Sequence, residues 1–261
     1  MSSASCAQVL KFAAATALVA PLVLAGPARA ADATPSPCSE DAMIVFDASG
    51  SMAGNVSQGI ATIKPRIDEA RHALATVLPR VTRLRRVGLI TYGPGAYNQC
   101  NVQLKFEPTP NAAERIMREV DALTPAGRTP LTSAVEEAAD VLDYRKKPGV
   151  IVLLTDGEET CGRSPCDLGK QLHAAAAELT VHVISYRTEN YSWVGESSVL
   201  DTKCLAEENN GFYITAYSYQ ELVEAFEKAL DCPMIAGSTL SWGSGAPENV
   251  FELQRKGAKI E

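Results

Sequence analysis

An uninterrupted apolar run that ends in alternating acidic and hydroxyl groups constrains the fold of this chain most. Met43 to Phe46 are all apolar, and Asp47, Ser49 and Ser51 follow at alternate positions. A run without polar residues is typical of a central strand whose sheet is covered by helices on both faces. In such sheets, ligands bind just beyond the carboxyl ends of the strands. We therefore expect these three side chains at the binding edge of an α/β sheet.

Their oxygen atoms are suited to a hard cation. Carboxylate and hydroxyl oxygens favour Mg²⁺, Ca²⁺ or Mn²⁺ over softer metals. The pattern D-x-S-x-S is short, however, and a strand end followed by a serine-rich turn produces it without any metal. The choice between these interpretations depends on the rest of the chain.

A second apolar run and a threonine accompany the first motif. Val150 to Leu154 is again uninterrupted, and the run is followed by Thr155, Asp156 and a glycine. Between the two runs, Thr129 and a proline open a helical pattern. Thr129 is well placed as the N-cap of that helix, so its hydroxyl could serve the helix alone.

These stretches resemble the von Willebrand factor type A domain, whose metal-ion-dependent adhesion site combines D-x-S-x-S, a distant threonine and a strand-terminal aspartate before glycine. The matching residues, in the family's chain order, are Asp47, Ser49, Ser51, Thr129 and Asp156. The resemblance extends from about Ser39 to Leu230. It implies that Ser49, Ser51 and Thr129 contact a Mg²⁺ ion, or Mn²⁺ or Ca²⁺. It also implies that the two aspartates act mostly through bound waters.

The resemblance implies a protein-binding module for adhesion or a similar interaction, and not an enzyme. Neutral hydroxyl ligands leave most of the ion's charge uncompensated, so an Asp or Glu of a partner protein can complete the coordination. Two alternatives remain open. A metal-dependent hydrolase would need a general base, for which Glu158 and Glu159 are the candidates. A structural scaffold with an idle metal site is the other.

Strands and helices alternate along the chain, which predicts a doubly wound, mostly parallel sheet with helices on both faces and right-handed crossovers. The resemblance implies the same fold class. Val102, Leu104 and Phe106 alternate with polar residues, so we expect one short antiparallel edge strand there.

Prolines and capping residues predict where the helices begin and end. Pro65 opens the first helix and Pro79 ends it, while Asn111 with Glu114 caps the second. Besides Thr129, the residues Ser164-Pro165 and Ser218 with Glu221 predict the starts of two more helices.

The N-terminus predicts export. Lys11 precedes a short apolar stretch from Phe12 to Leu24, and Ala28-Arg29-Ala30 is a cleavage signal. The stretch is short and contains Pro21, which argues against a membrane anchor. We expect cleavage after Ala30, a secreted or periplasmic protein, and no membrane span in the mature chain.

We expect four segments in the chain. They are a signal peptide (1–30), a leader (31–38), the type A domain (39–232) and a tail or small β segment (233–261). Losing the signal peptide removes Lys11 and Arg29 and lowers the net charge from −7 to −9. So acidic a chain makes nucleic acid an improbable partner, because phosphate binding needs a basic face.

Six cysteines remain after Cys6 leaves with the signal peptide, and these are Cys38, Cys100, Cys161, Cys166, Cys204 and Cys232. An even number in an exported chain favours disulfides. Zinc is the rival interpretation, but the chain contains no C-x-x-C pair and its histidines are scattered.

The first pairing prediction joins Cys38 to Cys232, which bracket the domain. Domain termini often lie close together, and some members of the resembled family are closed in this way. Cys161 with Cys166 would close a small loop, which leaves Cys100 with Cys204. Six cysteines allow about fifteen pairings, so these last two bonds are guesses.

Overall fold

A computed structural model describes Cys38 and residues 40–56, 64–187 and 196–232. The predicted signal peptide, the leader before Cys38 and the C-terminal segment 233–261 lie outside the described residues. Among the described residues, no helix has both the length and the apolar character needed to cross a membrane.

The described elements alternate as expected. The strands are β1 (Asp41–Asp47), β2 (Asn55–Val56), β3 (Lys64–Pro65), β4 (Val87–Tyr92), β5 (Val102–Thr109), β6 (Pro148–Thr155), β7 (Glu178–Tyr186) and β8 (Tyr213–Ala216). The α-helices are α1 (Arg66–Leu84), α2 (Ala113–Asp121), α3 (Leu131–Val141), α4 (Pro165–Ala175), α5 (Glu196–Glu208) and α6 (Tyr219–Leu230).

Six of these strands form one sheet in the order β5-β4-β1-β6-β7-β8. β5 pairs antiparallel with β4, and every other pairing in this sheet is parallel. β1 lies between β4 and β6, so the strand order reverses around it, and such a switch point is where doubly wound sheets bind ligands. The predicted fold class is confirmed.

Both faces of β1 are buried, which explains its uninterrupted apolar sequence. Ile44 and Phe46 belong to the core beneath α1 and α6, while Met43 and Val45 belong to the opposite core beneath α3. All four side chains are fully buried. The strand is therefore held rigidly from both sides, and so is the polar turn at its carboxyl end.

The sequence predicted that Pro79 ends the first helix, but α1 continues to Leu84. Pro79 is exposed, whereas Leu78 and Val81 on either side of it are buried. Water can therefore reach the carbonyl that proline leaves without a hydrogen bond. Burial of the apolar face holds the last turns of the helix in place.

Two further local predictions are wrong. Asn111 does not cap α2; it has a positive φ of 53°, and the helix begins at Ala113 without a side-chain cap. Leu104 was expected to face inward but is 38% exposed. Register shifts between β4 and β5 around Leu89 change which side chains in this part of β5 point toward the core. The serine caps are confirmed, because Ser164 and Ser218 accept hydrogen bonds from N–H groups in the first turns of α4 and α6.

The structure forms three disulfides, Cys38–Cys232, Cys100–Cys161 and Cys166–Cys204. The first confirms the predicted closure of the domain. The predicted pairs Cys161–Cys166 and Cys100–Cys204 are wrong. Cys166 lies in the first turn of α4, which packs against α5 and its Cys204, whereas Cys161 lies in the preceding loop beside the β4–β5 connection.

Candidate metal centre

Asp47 ends β1 as a fully buried carboxylate surrounded by donors. Its Oδ1 accepts the Ser49 amide at 2.7 Å, and its Oδ2 accepts the Tyr92 hydroxyl at 2.9 Å. Thr155 Oγ1 and the Asp156 amide also donate to Oδ2, at 3.1 and 3.4 Å. Four donors from three strand ends thus hold this carboxylate in one orientation.

Asp156, just beyond β6, lies beside it. Its Oδ1 accepts the Ser51 hydroxyl at 2.5 Å, and Ser51 Oγ is 3.0 Å from Ser49 Oγ. Its Oδ2 accepts Nη1 of Arg66, the first residue of α1, at 2.9 Å. The structure therefore brings together four of the five residues that the sequence singled out, with an arginine added.

The loop that carries the fifth residue, Thr129, contacts the same turn. The Ala126 amide donates to Ala48 O at 3.0 Å, and the Gly50 amide donates to Gly127 O at 3.2 Å. Thr129 itself is 6% exposed. The backbone of this loop is thus hydrogen bonded to the turn that contains Ser49 and Ser51.

Two glycines permit this close approach of loops. A Cβ at Gly93 would lie 2.4 Å from the Ser49 amide nitrogen, and one at Gly127 would lie 2.1 Å from Gly93 O. Both residues have positive φ values, of 105° and 72°. Any side chain at either position would therefore push the loops apart.

The sequence predicted Thr129 as the N-cap of α3, and this prediction is wrong. The helix begins at Leu131, and the residue before it, Pro130, provides no side-chain cap. Glu159 instead accepts the Thr132 amide at 2.9 Å, while the Thr129 amide donates to Thr160 Oγ1 at 2.7 Å. The cap is therefore provided by the loop after β6, because that loop lies directly over the helix N-terminus.

Glu159 is also bonded to a second backbone amide, that of Cys161, at 2.6 Å. A carboxylate that accepts two backbone N–H groups is engaged in holding its loop, which counts against its use as the general base of a hydrolase. Glu158, the other candidate base, is exposed.

Burial dominates the electrostatics of the aspartate pair. Burial, and then the charge of Asp156, raises the pKa of Asp47 to about 7, against the effect of its hydrogen bonds. Burial also raises the pKa of Asp156, although Ser51 and Arg66 oppose this. Two neighbouring carboxylates with one guanidinium form a site in which a further cation would be stabilised.

The donor set fits a hard divalent ion. It consists of carboxylate and hydroxyl oxygens, which suit Mg²⁺, Mn²⁺ or Ca²⁺. The described part of the chain contains no group of three or more His, Cys, Asp or Glu side chains arranged to hold a metal. An ion here would therefore depend on the hydroxyls of Ser49, Ser51 and Thr129 as well as on the two aspartates.

Sequence reasoning missed three residues that contact the aspartates: Arg66, Tyr92 and Thr155. Tyr92 and Thr155 end the strands on either side of β1, so strand pairing would have placed them there. The sequence indicates the role of Arg66 less clearly. A cation in the first turn of a helix opposes the helix dipole, so it indicates a local carboxylate partner.

The sequence and the fold can be compared with known proteins. Residues 42–159 match the family model of the von Willebrand factor type A domain. The chain is 27% identical over 212 residues to the uncharacterized protein YwmC of Bacillus subtilis (strain 168), and the match covers 78% of this chain and 89% of that protein.

Solved structures share the fold at low sequence identity. The von Willebrand factor type A structure from Catenulispora acidiphila has a TM-score of 0.52 and 18% identity, covering 74% of this chain and 42% of that one. The PilB minor pilin from Streptococcus sanguinis has a TM-score of 0.55 and 13% identity, covering 76% and 64%. Residues 42–159 are therefore similar to the von Willebrand factor type A family, and these solved structures share the fold of the chain.

Proposed function

We propose that this chain is an extracytoplasmic interaction module that binds an acidic residue of a partner protein through a divalent metal ion. Ser49, Ser51 and Thr129 would be direct ligands, with Asp47 and Asp156 anchoring the ion through water. Mg²⁺ is the ion we expect, and Mn²⁺ and Ca²⁺ also suit these oxygen ligands.

The buried aspartate pair is the observation on which the proposal rests. Asp47 and Asp156 are 0% and 5% exposed, and burying two carboxylates side by side is costly unless cations compensate them. Among the described residues, Arg66 is the one basic side chain that forms an ion pair with either aspartate. A divalent ion would compensate the remaining charge, and the Ser49 and Ser51 hydroxyls next to Asp156 support this proposal.

A bound ion would supply a positively charged coordination position for a carboxylate of the partner. The chain's own residues provide the conditions for that. Ser49 and Ser51 offer neutral oxygens that leave the ion's charge available, and the hydrogen bonds to Asp47 prevent the turn from rearranging. Glu159 is engaged with backbone amides, so we favour binding over hydrolysis.

Two observations support an interaction role outside the cytoplasm. The described chain contains three disulfides, which persist in oxidising compartments. A protein with the same fold is described as a minor pilin. A cleaved signal peptide over residues 1–30 would deliver the chain to such a compartment.

Isothermal titration of the oxidised, chelator-treated protein with MgCl₂, MnCl₂ and CaCl₂ tests the metal site. We expect uptake of at least one ion. Ser51→Ala and Thr129→Ala should weaken uptake by about tenfold or more, because each removes a direct ligand. Asp47→Ala is less suitable, since it would leave the donors from Tyr92 and Thr155 without their shared acceptor.

Thr76→Ala is the matched control, since Thr76 is an exposed hydroxyl residue on α1 that bonds to Tyr219. It should bind the ion as the wild type does. Capture of partner proteins from the native exported fraction, with Mg²⁺ or with chelator, then tests the interaction. If the wild type takes up none of the three ions, the proposed function is wrong.

A further inference from the structure

Arg66 contacts the candidate metal centre but has no place in the ligand set. Its Nη1 lies 2.9 Å from Asp156 Oδ2, the Arg66 side chain is 22% exposed, and that of Asp156 is fully buried. The Nε of Arg66 is buried and has no hydrogen-bond partner. The contact with Asp156 is therefore the main polar interaction of this guanidinium within the described part of the chain.

The backbone places Arg66 there. The short strands β2 and β3 pair Asn55 with Pro65, so the turn that follows Ser51 is joined to the start of α1. The Arg66 amide also donates to Gly54 O at 3.0 Å. A cation in the first turn of a helix opposes the helix dipole, so this arrangement has a cost that the contact with Asp156 offsets.

A charge count shows what this guanidinium does to the site. With both aspartates ionised, the pair and Arg66 together carry a charge of −1, and a divalent ion changes this to +1. Without Arg66 the same states would carry −2 and 0. Arg66 therefore repels an incoming cation, and it leaves the ion-loaded site with a net positive charge that attracts an anion.

We infer that Arg66 shifts the two binding events in opposite directions, because it weakens uptake of the divalent ion alone and strengthens carboxylate binding once the ion is present. The inference rests on the proposed function and assigns a role to a residue outside its ligand set. A site of this kind stays weakly loaded until an acidic partner arrives, since each ligand raises the affinity for the other by the same factor.

The test compares wild type, Arg66→Gln and Arg66→Lys by isothermal titration with MgCl₂ alone. We expect Arg66→Gln to bind Mg²⁺ about tenfold more tightly, and Arg66→Lys to stay close to the wild type because it keeps the charge. A disrupted structure would weaken binding, so a gain in affinity separates the electrostatic role from a structural one. Circular dichroism of each variant checks folding.

Arg80→Gln is the control for net charge. Arg80 is exposed near the other end of α1 and pairs with Glu227, so its loss should leave Mg²⁺ affinity unchanged. In a second titration at saturating Mg²⁺, a blocked Gly-Asp-Gly peptide should bind Arg66→Gln about tenfold more weakly than it binds the wild type.

The outcomes separate the two proposals. Unchanged or weaker Mg²⁺ binding by Arg66→Gln, in a wild type that does bind the ion, overturns the role of Arg66 alone. Uptake by Arg66→Gln but not by the wild type overturns the proposed function, and with it the role of Arg66 in carboxylate binding, because the guanidinium then keeps the ion out of the native site. If neither protein binds Mg²⁺, Mn²⁺ or Ca²⁺, both proposals fail.

Discussion

Asp47 is fully buried at the end of β1, where burial and the neighbouring Asp156 raise its pKa to about 7. In an unfolded chain this carboxyl titrates near 3.8. Between these values the folded protein keeps a proton that the unfolded chain has lost. At the scale of the residue, the stability of the metal-free protein is therefore linked to pH.

We predict that this aspartate destabilises the metal-free protein as the pH rises from about 4 to 7, by up to roughly 4 kcal/mol. Burial of His182 has the opposite effect, because it lowers the pKa of that residue to about 4. The difference between wild type and Asp47→Asn is thus the informative quantity. Urea unfolding with chelator at several pH values measures it, and parallel curves for the two proteins would contradict the prediction.

At the scale of elements, a few side chains from distant segments hold the loops at the carboxyl edge of the sheet. Glu159 links the loop after β6 to the start of α3 through the Thr132 amide. The disulfide Cys100–Cys161 links the same loop to the β4–β5 connection. The geometry of the candidate site depends on these links as well as on its own ligands.

Glu159→Ala should lower the free energy of unfolding by about 1–2 kcal/mol, because two backbone amides lose a charged acceptor. Glu159→Gln should lose less, since its amide oxygen can still accept one of these bonds. Glu158→Ala is the control, because Glu158 is an exposed neighbour. Chemical unfolding of the three variants measures the effect, and equal losses for Glu158→Ala and Glu159→Ala would refute it.

The two disulfides that link segments inside the domain offer a matched comparison. Cys100–Cys161 and Cys166–Cys204 span 61 and 38 residues, so removing either should cost up to ~4 kcal/mol of stability by chain entropy. Only the first contacts the loop that contains Asp156. We therefore expect the double serine variant of Cys100 and Cys161 to bind Mg²⁺ more weakly, while that of Cys166 and Cys204 binds it normally. Similar Mg²⁺ affinities in a titration of both variants would contradict this.

At the scale of the whole molecule, Cys38 and Cys232 join the chain before β1 to the chain after α6. The bond closes a loop of 194 residues. It constrains the unfolded chain along almost the whole domain, which should contribute about 5 kcal/mol.

Cys38→Ser should accordingly lower the melting temperature, and reducing agent should have a larger effect on the wild type than on this variant. Differential scanning calorimetry with and without reductant measures both shifts. A melting temperature that is the same in wild type and Cys38→Ser would mean that the bond does not stabilise the fold.

The sequence by itself determined the sheet and the position of the candidate site on it. Apolar runs and periodicity are local, so they predicted β1, β6 and the antiparallel β5, and strand ends located Asp47 and Asp156. Only the tertiary structure decided which distant groups meet. It pairs Cys161 with Cys100, caps α3 with Glu159 in place of Thr129, and sets Arg66 against Asp156. These contacts depend on distances between segments far apart in the chain, and no local pattern of residues encodes such distances.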